Sequence, residues 1–160
     1  MRMLATVALV VGLAGAASAQ TPKPHASEVL LGLGGMCWEA RLPEVVTDTH
    51  CFSVARNGHL VMDVHKVRSR SGGVVYEGVT LYRFEEAGGA IRYDYYTSNG
   101  GLLSGYVRRD GQTLLFSDAP GGAVTTVWTL TADAYEVETT GSKDQKRRFV
   151  KRGVAEPGGF

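Results

Sequence analysis

From Met36 onward the chain carries short runs rich in Val, Tyr, Thr and Phe, separated by Gly, Asn and Asp, with no sustained 3.6-residue period. Polar and apolar residues alternate within several runs, as they do on a strand with one buried face. The pattern predicts about ten strands, near 36–42, 48–56, 59–67, 74–84, 90–97, 102–109, 112–117, 123–130, 134–139 and 146–152. Between them stand Asn57-Gly58, Ser71-Gly72-Gly73, Gly88-Gly89, Asn99-Gly100-Gly101, Asp110-Gly111, Gly121-Gly122 and Gly141-Ser142. Asn-Gly and Asp-Gly favour hairpins because a type I′ turn needs positive φ at both central residues. No connection is long enough for a crossover helix, so neighbouring strands should be antiparallel. A meander of this length needs closure to remove its edges. The expected fold is therefore all-β, an antiparallel up-and-down barrel of about 8–10 strands, with a sandwich as the alternative. One short helix is expected before it, over Ser27 to Leu33, with Ser27 as N-cap and Gly34-Gly35 as the stop.

The first 19 residues break this pattern. Arg2 precedes an apolar core from Leu4 to Ala14, and Ala17-Ser18-Ala19 is a small-x-small cleavage site. This reads as a secretory signal peptide, too short for a membrane span. The expected organisation is a signal at 1–19, an arm and short helix at 20–35, a barrel domain at 36–154 and a flexible tail at 155–160. The mature product is expected to be periplasmic or secreted, without stable membrane insertion. That setting disfavours ATP- and NAD-dependent chemistry. Losing Arg2 reduces the 17 basic residues to 16, equal to the 16 acidic ones. A neutral chain gives no reason to expect a nucleic-acid partner. The basic run Lys146, Arg147, Arg148, Lys151 and Arg152 is read as a solvated terminal strand.

Cys37 and Cys51 are the two cysteines. In an exported chain they are expected to pair, and closing a loop of this size is worth about 3 kcal/mol on the chain-entropy model. A two-residue turn at Asn57-Gly58 sets the pairing around it: Arg56 with His59, Val54 with Val61, Phe52 with Asp63 and His50 with His65. These side chains, with Asp48, share one sheet face. A direct Cys37–Cys51 bridge puts Trp38 on that same face. Trp38, Phe52, Val54 and Val61 make it the more aromatic one, so it is assigned to the interior.

The interior then holds ionisable groups that must find partners. The candidate ligand-binding set is His50, His65, Asp63, Trp38, Phe52, Tyr76, Tyr82 and Tyr95. Tyr76 and Tyr82 share a face of the fourth strand and Tyr95 adjoins them on the fifth; a phenol gives a cavity wall an apolar body and a polar handle. Two facing imidazoles with a carboxylate from Asp63 or Asp48 have the donor types of an open zinc site. The commoner use of an inward His–Asp cluster is a hydrogen-bonded network, so neither metal nor cofactor is expected. Nucleophilic catalysis has little support, because Ser53 lies on the other face from His50 and no GxSxG occurs.

A short helix, then Gly35-Met36-Cys37-Trp38, then an antiparallel meander resembles the calycin layout of lipocalins, fatty-acid-binding proteins and nitrobindin-like barrels. In lipocalins a Gly-x-Trp plugs the barrel floor; here the spacing is Gly-x-x-Trp. The resemblance implies an exported β-barrel of calycin type and does not choose between carrier, enzyme and inhibitor, since such barrels host all three. The haem ligation of nitrobindin-like barrels, through a late histidine, does not carry over, because the last histidine is His65. Ser69 to Tyr76 also resembles the Ser-Gly-rich loop of periplasmic lysozyme inhibitors, without the Trp and Lys that follow there. The leading expectation is a barrel holding a partly apolar small molecule in a Tyr/His-lined cavity. The alternatives are an acid–base barrel enzyme of isomerase, cyclase or hydrolase type and a protein-inhibitor or interaction domain.

Overall fold

The computed structural model describes residues 26–43, 46–55, 58–84, 91–141 and 146–155. The expected signal peptide and tail tip lie outside them. One helix, α1 (Ala26–Leu33), precedes ten strands: β1 (Met36–Leu42), β2 (Val46–Val54), β3 (Leu60–Arg68), β4 (Val74–Phe84) and β5 (Ile91–Thr97), then β6 (Leu102–Asp110), β7 (Thr113–Ser117), β8 (Val124–Leu130), β9 (Ala134–Thr139) and β10 (Arg147–Val154). Each strand pairs antiparallel with its sequence neighbour, and β10 returns to β1, closing the barrel. The sandwich alternative is excluded by that last pairing.

The local rules explain the elements. Gly35 takes a φ of 73° between α1 and β1, a left-handed conformation that suits glycine, and turns the chain sharply from helix into strand. In the β2–β3 hairpin, Ala55 N–H donates to Leu60 O at 2.9 Å and Gly58 N–H donates to Ala55 O at 2.8 Å. The strands meet in the expected register, with Val54 opposite Val61 and His50 opposite His65. The expected Arg56–His59 pair lies outside the described residues.

Cys37 and Cys51 are direct cross-strand partners and form a disulfide between β1 and β2. The bridge occupies the outer face. Trp38, Ala40, Phe52 and Val61, on the other face, are at most 3 % exposed. The histidine-bearing face is therefore the inner one.

The interior is filled with rings. Tyr135 stacks on Phe149 at 4.8 Å between centroids and on Trp128 at 5.1 Å, while Trp38 meets Tyr135 edge-on at 5.6 Å. Such pairs add roughly 0.5–1.5 kcal/mol each beyond the apolar area they remove from water. At the end where β1 begins, Leu30 and Leu33 of α1 are buried beside Met36 and Phe84 and close the barrel. Trp38 Nε1–H donates to Leu33 O at 3.4 Å, tying β1 to the helix end. The opposite end carries the polar cluster described next.

Candidate functional site

The site grows from the β2–β3 pairing. Alternation puts Asp48, His50 and Phe52 on the inner face of β2, and Asp63, His65 and Val67 opposite them on β3. The His50 and His65 rings stack at 4.2 Å, inclined by 13°. Each imidazole has its own carboxylate: His50 Nδ1 lies 2.7 Å from Asp63 Oδ2, and His65 Nε2 lies 2.7 Å from Asp48 Oδ1. Both carboxylates are 1 % exposed, and each imidazole keeps 14 % of its side-chain surface in contact with solvent. Phe149 sits edge-on to His50 at 5.0 Å and forms the apolar side of the site.

A phenol relay continues from His65. Tyr95 OH lies 2.9 Å from His65 Nδ1, and Tyr76 OH lies 2.7 Å from Tyr95 OH. Burial, then the bond with Tyr76, raises the Tyr95 pKa, so Tyr95 remains a neutral hydroxyl with both donor and acceptor capacity. Its reach depends on Gly78, the cross-strand partner of His65. A Cβ at Gly78 would fall 2.5 Å from Tyr95 Cε2 and 2.8 Å from its hydroxyl oxygen. The glycine is the gap through which the ring crosses to the histidine. Gly78→Ala is therefore expected to expel Tyr95 and destabilise the fold by about 1–3 kcal/mol, the usual cost of overpacking. A urea midpoint shift measures the cost, and the His65 nitrogen shifts in NMR report the lost partner. An unchanged midpoint with unchanged nitrogen shifts would disprove this role.

Asp48 is the hub. Besides His65, it receives Arg147 from β10, whose Nη1 is 3.3 Å from Oδ2. His50 Nε2 stands 3.7 Å from Asp48 Oδ1. Burial alone would raise the Asp48 pKa, but the His65 hydrogen bond and the charges of His50, His65 and Arg147 outweigh it and hold the pKa below the ordinary value. For His50, burial pushes the pKa down, but the charge and hydrogen bond of Asp63, with the charge of Asp48, raise it above the ordinary value.

The structure divides the eight expected residues into two tiers. His50, His65, Tyr76 and Tyr95 are partly exposed at the end away from α1. Asp63, Trp38, Phe52 and Tyr82 are buried, the last three packed within the apolar core. Asp48, which the sequence reading placed on the face but left out of the binding set, sits at the centre. Arg147 was missed. Its signal was period two: Phe149 is inner, so Arg147 is inner as well. The solvated reading of the basic run holds for Lys146, Arg148, Lys151 and Arg152, which are exposed, and is corrected at Arg147. Lys146 and Arg148 pair with Glu136, and Arg152 pairs with Glu39, so these charges are held by cross-strand acids on the outer face. The Ser69–Gly73 loop bonds to itself, with Ser69 N–H on Gly73 O at 2.9 Å and Gly72 N–H on Ser69 O at 2.9 Å.

The molecule this fold and site define is a closed ten-stranded barrel with an ionisable inner cluster near one end. No protein-family model matches the chain, and no curated protein matches it at a significant level.

Proposed function

We propose that this chain is an exported carrier of calycin type, which binds a small molecule at the end of the barrel away from α1. The carrying observation is where the polar cluster sits. The aromatic core fills the barrel from α1 to Phe52 and Phe149, and beyond that boundary His50, His65, Tyr76 and Tyr95 face partly into solvent. Buried ionisable groups cost stability unless they are paired, and two carboxylate–imidazole pairs with a two-phenol relay are more than packing requires. Apolar side chains border the cluster. Leu103, cross-strand partner of Tyr95, is 61 % exposed, and Val74, two residues before Tyr76 on β4, is 45 % exposed. A ligand with a hydrogen-bonding head and an apolar body fits this arrangement. The helix that closes one end, the Trp38 tie to it and the closed meander support the calycin assignment. The signal-like first 19 residues and the disulfide support export.

A second reading, acid–base catalysis on the bound molecule, has one specific observation behind it. Asp63 orients His50 through Nδ1, and Nε2 has no hydrogen-bond partner among the described residues. That is the arrangement of a general base.

Native mass spectrometry of the protein secreted by its own host tests the carrier. The expected result is an organic adduct retained by wild type and by His59→Ala, and lost from the His50→Ala, His65→Ala double variant. An adduct held equally by the double variant would refute the assignment of the site.

A further inference from the structure

We propose that Asp48, His50 and His65 together bind one divalent transition-metal ion of the zinc class. This goes beyond the carrier reading and does not depend on it. The ligand atoms of the three residues lie within 4.8 Å of one another. Asp48 Oδ1 is 2.7 Å from His65 Nε2 and 3.7 Å from His50 Nε2. Donors around a tetrahedral zinc with bonds near 2.0–2.1 Å stand about 3.3 Å apart, so adjustments of roughly half an ångström bring both imidazoles to their distances from Asp48.

The outer contacts make these atoms converge. The far atom of each ligand is held by a different residue: His50 Nδ1 by Asp63, His65 Nδ1 by the Tyr95 hydroxyl and Asp48 Oδ2 by Arg147. Outer partners of this kind set the tautomer and aim of metal ligands. With its Nδ1 proton on Asp63, His50 turns a bare Nε2 toward a carboxylate oxygen. In the neutral imidazole two acceptors then face each other, and a proton or a metal cation between them satisfies both.

His65 can join at no hydrogen-bonding cost. Without metal, its Nε2–H donates to Asp48 while Nδ1 accepts from Tyr95, which accepts from Tyr76. For metal binding the proton moves to Nδ1 and both hydroxyls reverse: Nδ1–H donates to Tyr95, and Tyr95 donates to Tyr76. Every group stays paired, because a phenol both donates and accepts. The charge also suits a dication, since among the described residues two buried carboxylates, Asp48 and Asp63, stand beside the two imidazoles with Arg147 as the guanidinium on Asp48. Imidazole nitrogens select zinc-class ions over magnesium and calcium, which prefer all-oxygen sites. The partial exposure of both histidines leaves a coordination position toward the barrel end for water or a ligand group.

The test uses untagged, disulfide-intact protein stripped with a chelator and titrated calorimetrically with Zn2+ alone, then with Mg2+ and Ca2+. One Zn2+ per chain is expected, with no saturable uptake of the other two. His50→Gln and His65→Gln, which keep side-chain bulk, should abolish the site while circular dichroism shows an intact barrel. Tyr95→Phe keeps all three ligands and removes only an outer partner; it should weaken Zn2+ binding about 10-fold, the lower end for losing such a partner. Absence of one-to-one uptake by folded wild type would overturn the proposal. So would uptake unchanged in both glutamine variants, which would place the ion elsewhere on the chain. An organic adduct retained by metal-free wild type leaves the carrier reading standing when the metal site fails.

Discussion

Phe52→Ala should lower the unfolding free energy by about 4 kcal/mol, within the range for truncating a fully buried aromatic side chain. Phe52 is 0 % exposed. Its ring meets Trp128 at 6.2 Å and Tyr135 at 6.4 Å, both edge-on, and stacks beside His50 at 6.2 Å. The lost transfer free energy is only part of the cost. The surrounding rings sit on different strands of a closed barrel, and hydrogen-bonded strands cannot move inward to fill the gap. The cavity term therefore persists. His50 also loses the ring beneath it, so ligand retention should fall along with stability. Urea unfolding of wild type and variant gives the difference; a loss below about 1 kcal/mol would mean the core collapses around the deletion, contrary to this account.

Asp48→Ala should cost about 3 kcal/mol, the low end for breaking a buried ion pair by removing one partner. The variant leaves the His65 Nε2 and the Arg147 guanidinium without their shared acceptor. Arg147 keeps 35 % of its side chain in water, which places the cost at the low end. Asp48→Asn, which retains an acceptor oxygen, should lose less. In chelator-treated protein the difference between wild type and Asp48→Ala should depend on pH. The depressed Asp48 pKa contributes stability that is complete above its unfolded value near 4 and disappears as pH falls through the lower folded value. Part of the elevation of His50 comes from Asp48, and that contribution is complete below the unfolded histidine value near 6.5 and disappears as pH rises through the higher folded value. The largest difference should therefore lie between about pH 4 and 6.5. A difference constant from pH 3 to 9 would show that Asp48 acts only by filling space.

Much of the fold was legible because its rules are local. Turn glycines mark where each strand ends, and alternation assigns each side chain to a face. An even turn around Asn57-Gly58 was enough to place His50 opposite His65, and the spacing of Cys37 and Cys51 fitted a bridge across β1 and β2. The site was legible up to the same limit. Asp63, His50 and His65 could be named together because one hairpin carries all three.

Contacts between distant strands were not legible in this way. Closure was expected from the edges of the meander, but its register, which pairs Cys37 with Gly153, was not legible. Arg147 reaches Asp48 across 99 positions, and Phe149 meets His50 across a similar separation. Tyr95 reaches His65 only because Gly78 carries no Cβ. Whether the interior would be a cavity or a packed core was also undecided in the chain alone. An alternating pattern states that Trp38, Phe52 and Tyr82 point inward; it does not state how much room they leave. The sequence by itself determined the strands and their neighbours, through turn chemistry and a period of two, and from these it suggested an inner face and a disulfide that the structure bears out. Only the tertiary structure decided that aromatic volume fills the barrel and leaves the ionisable cluster partly exposed beyond it, because ring packing depends on side chains from strands that meet only once the sheet has closed.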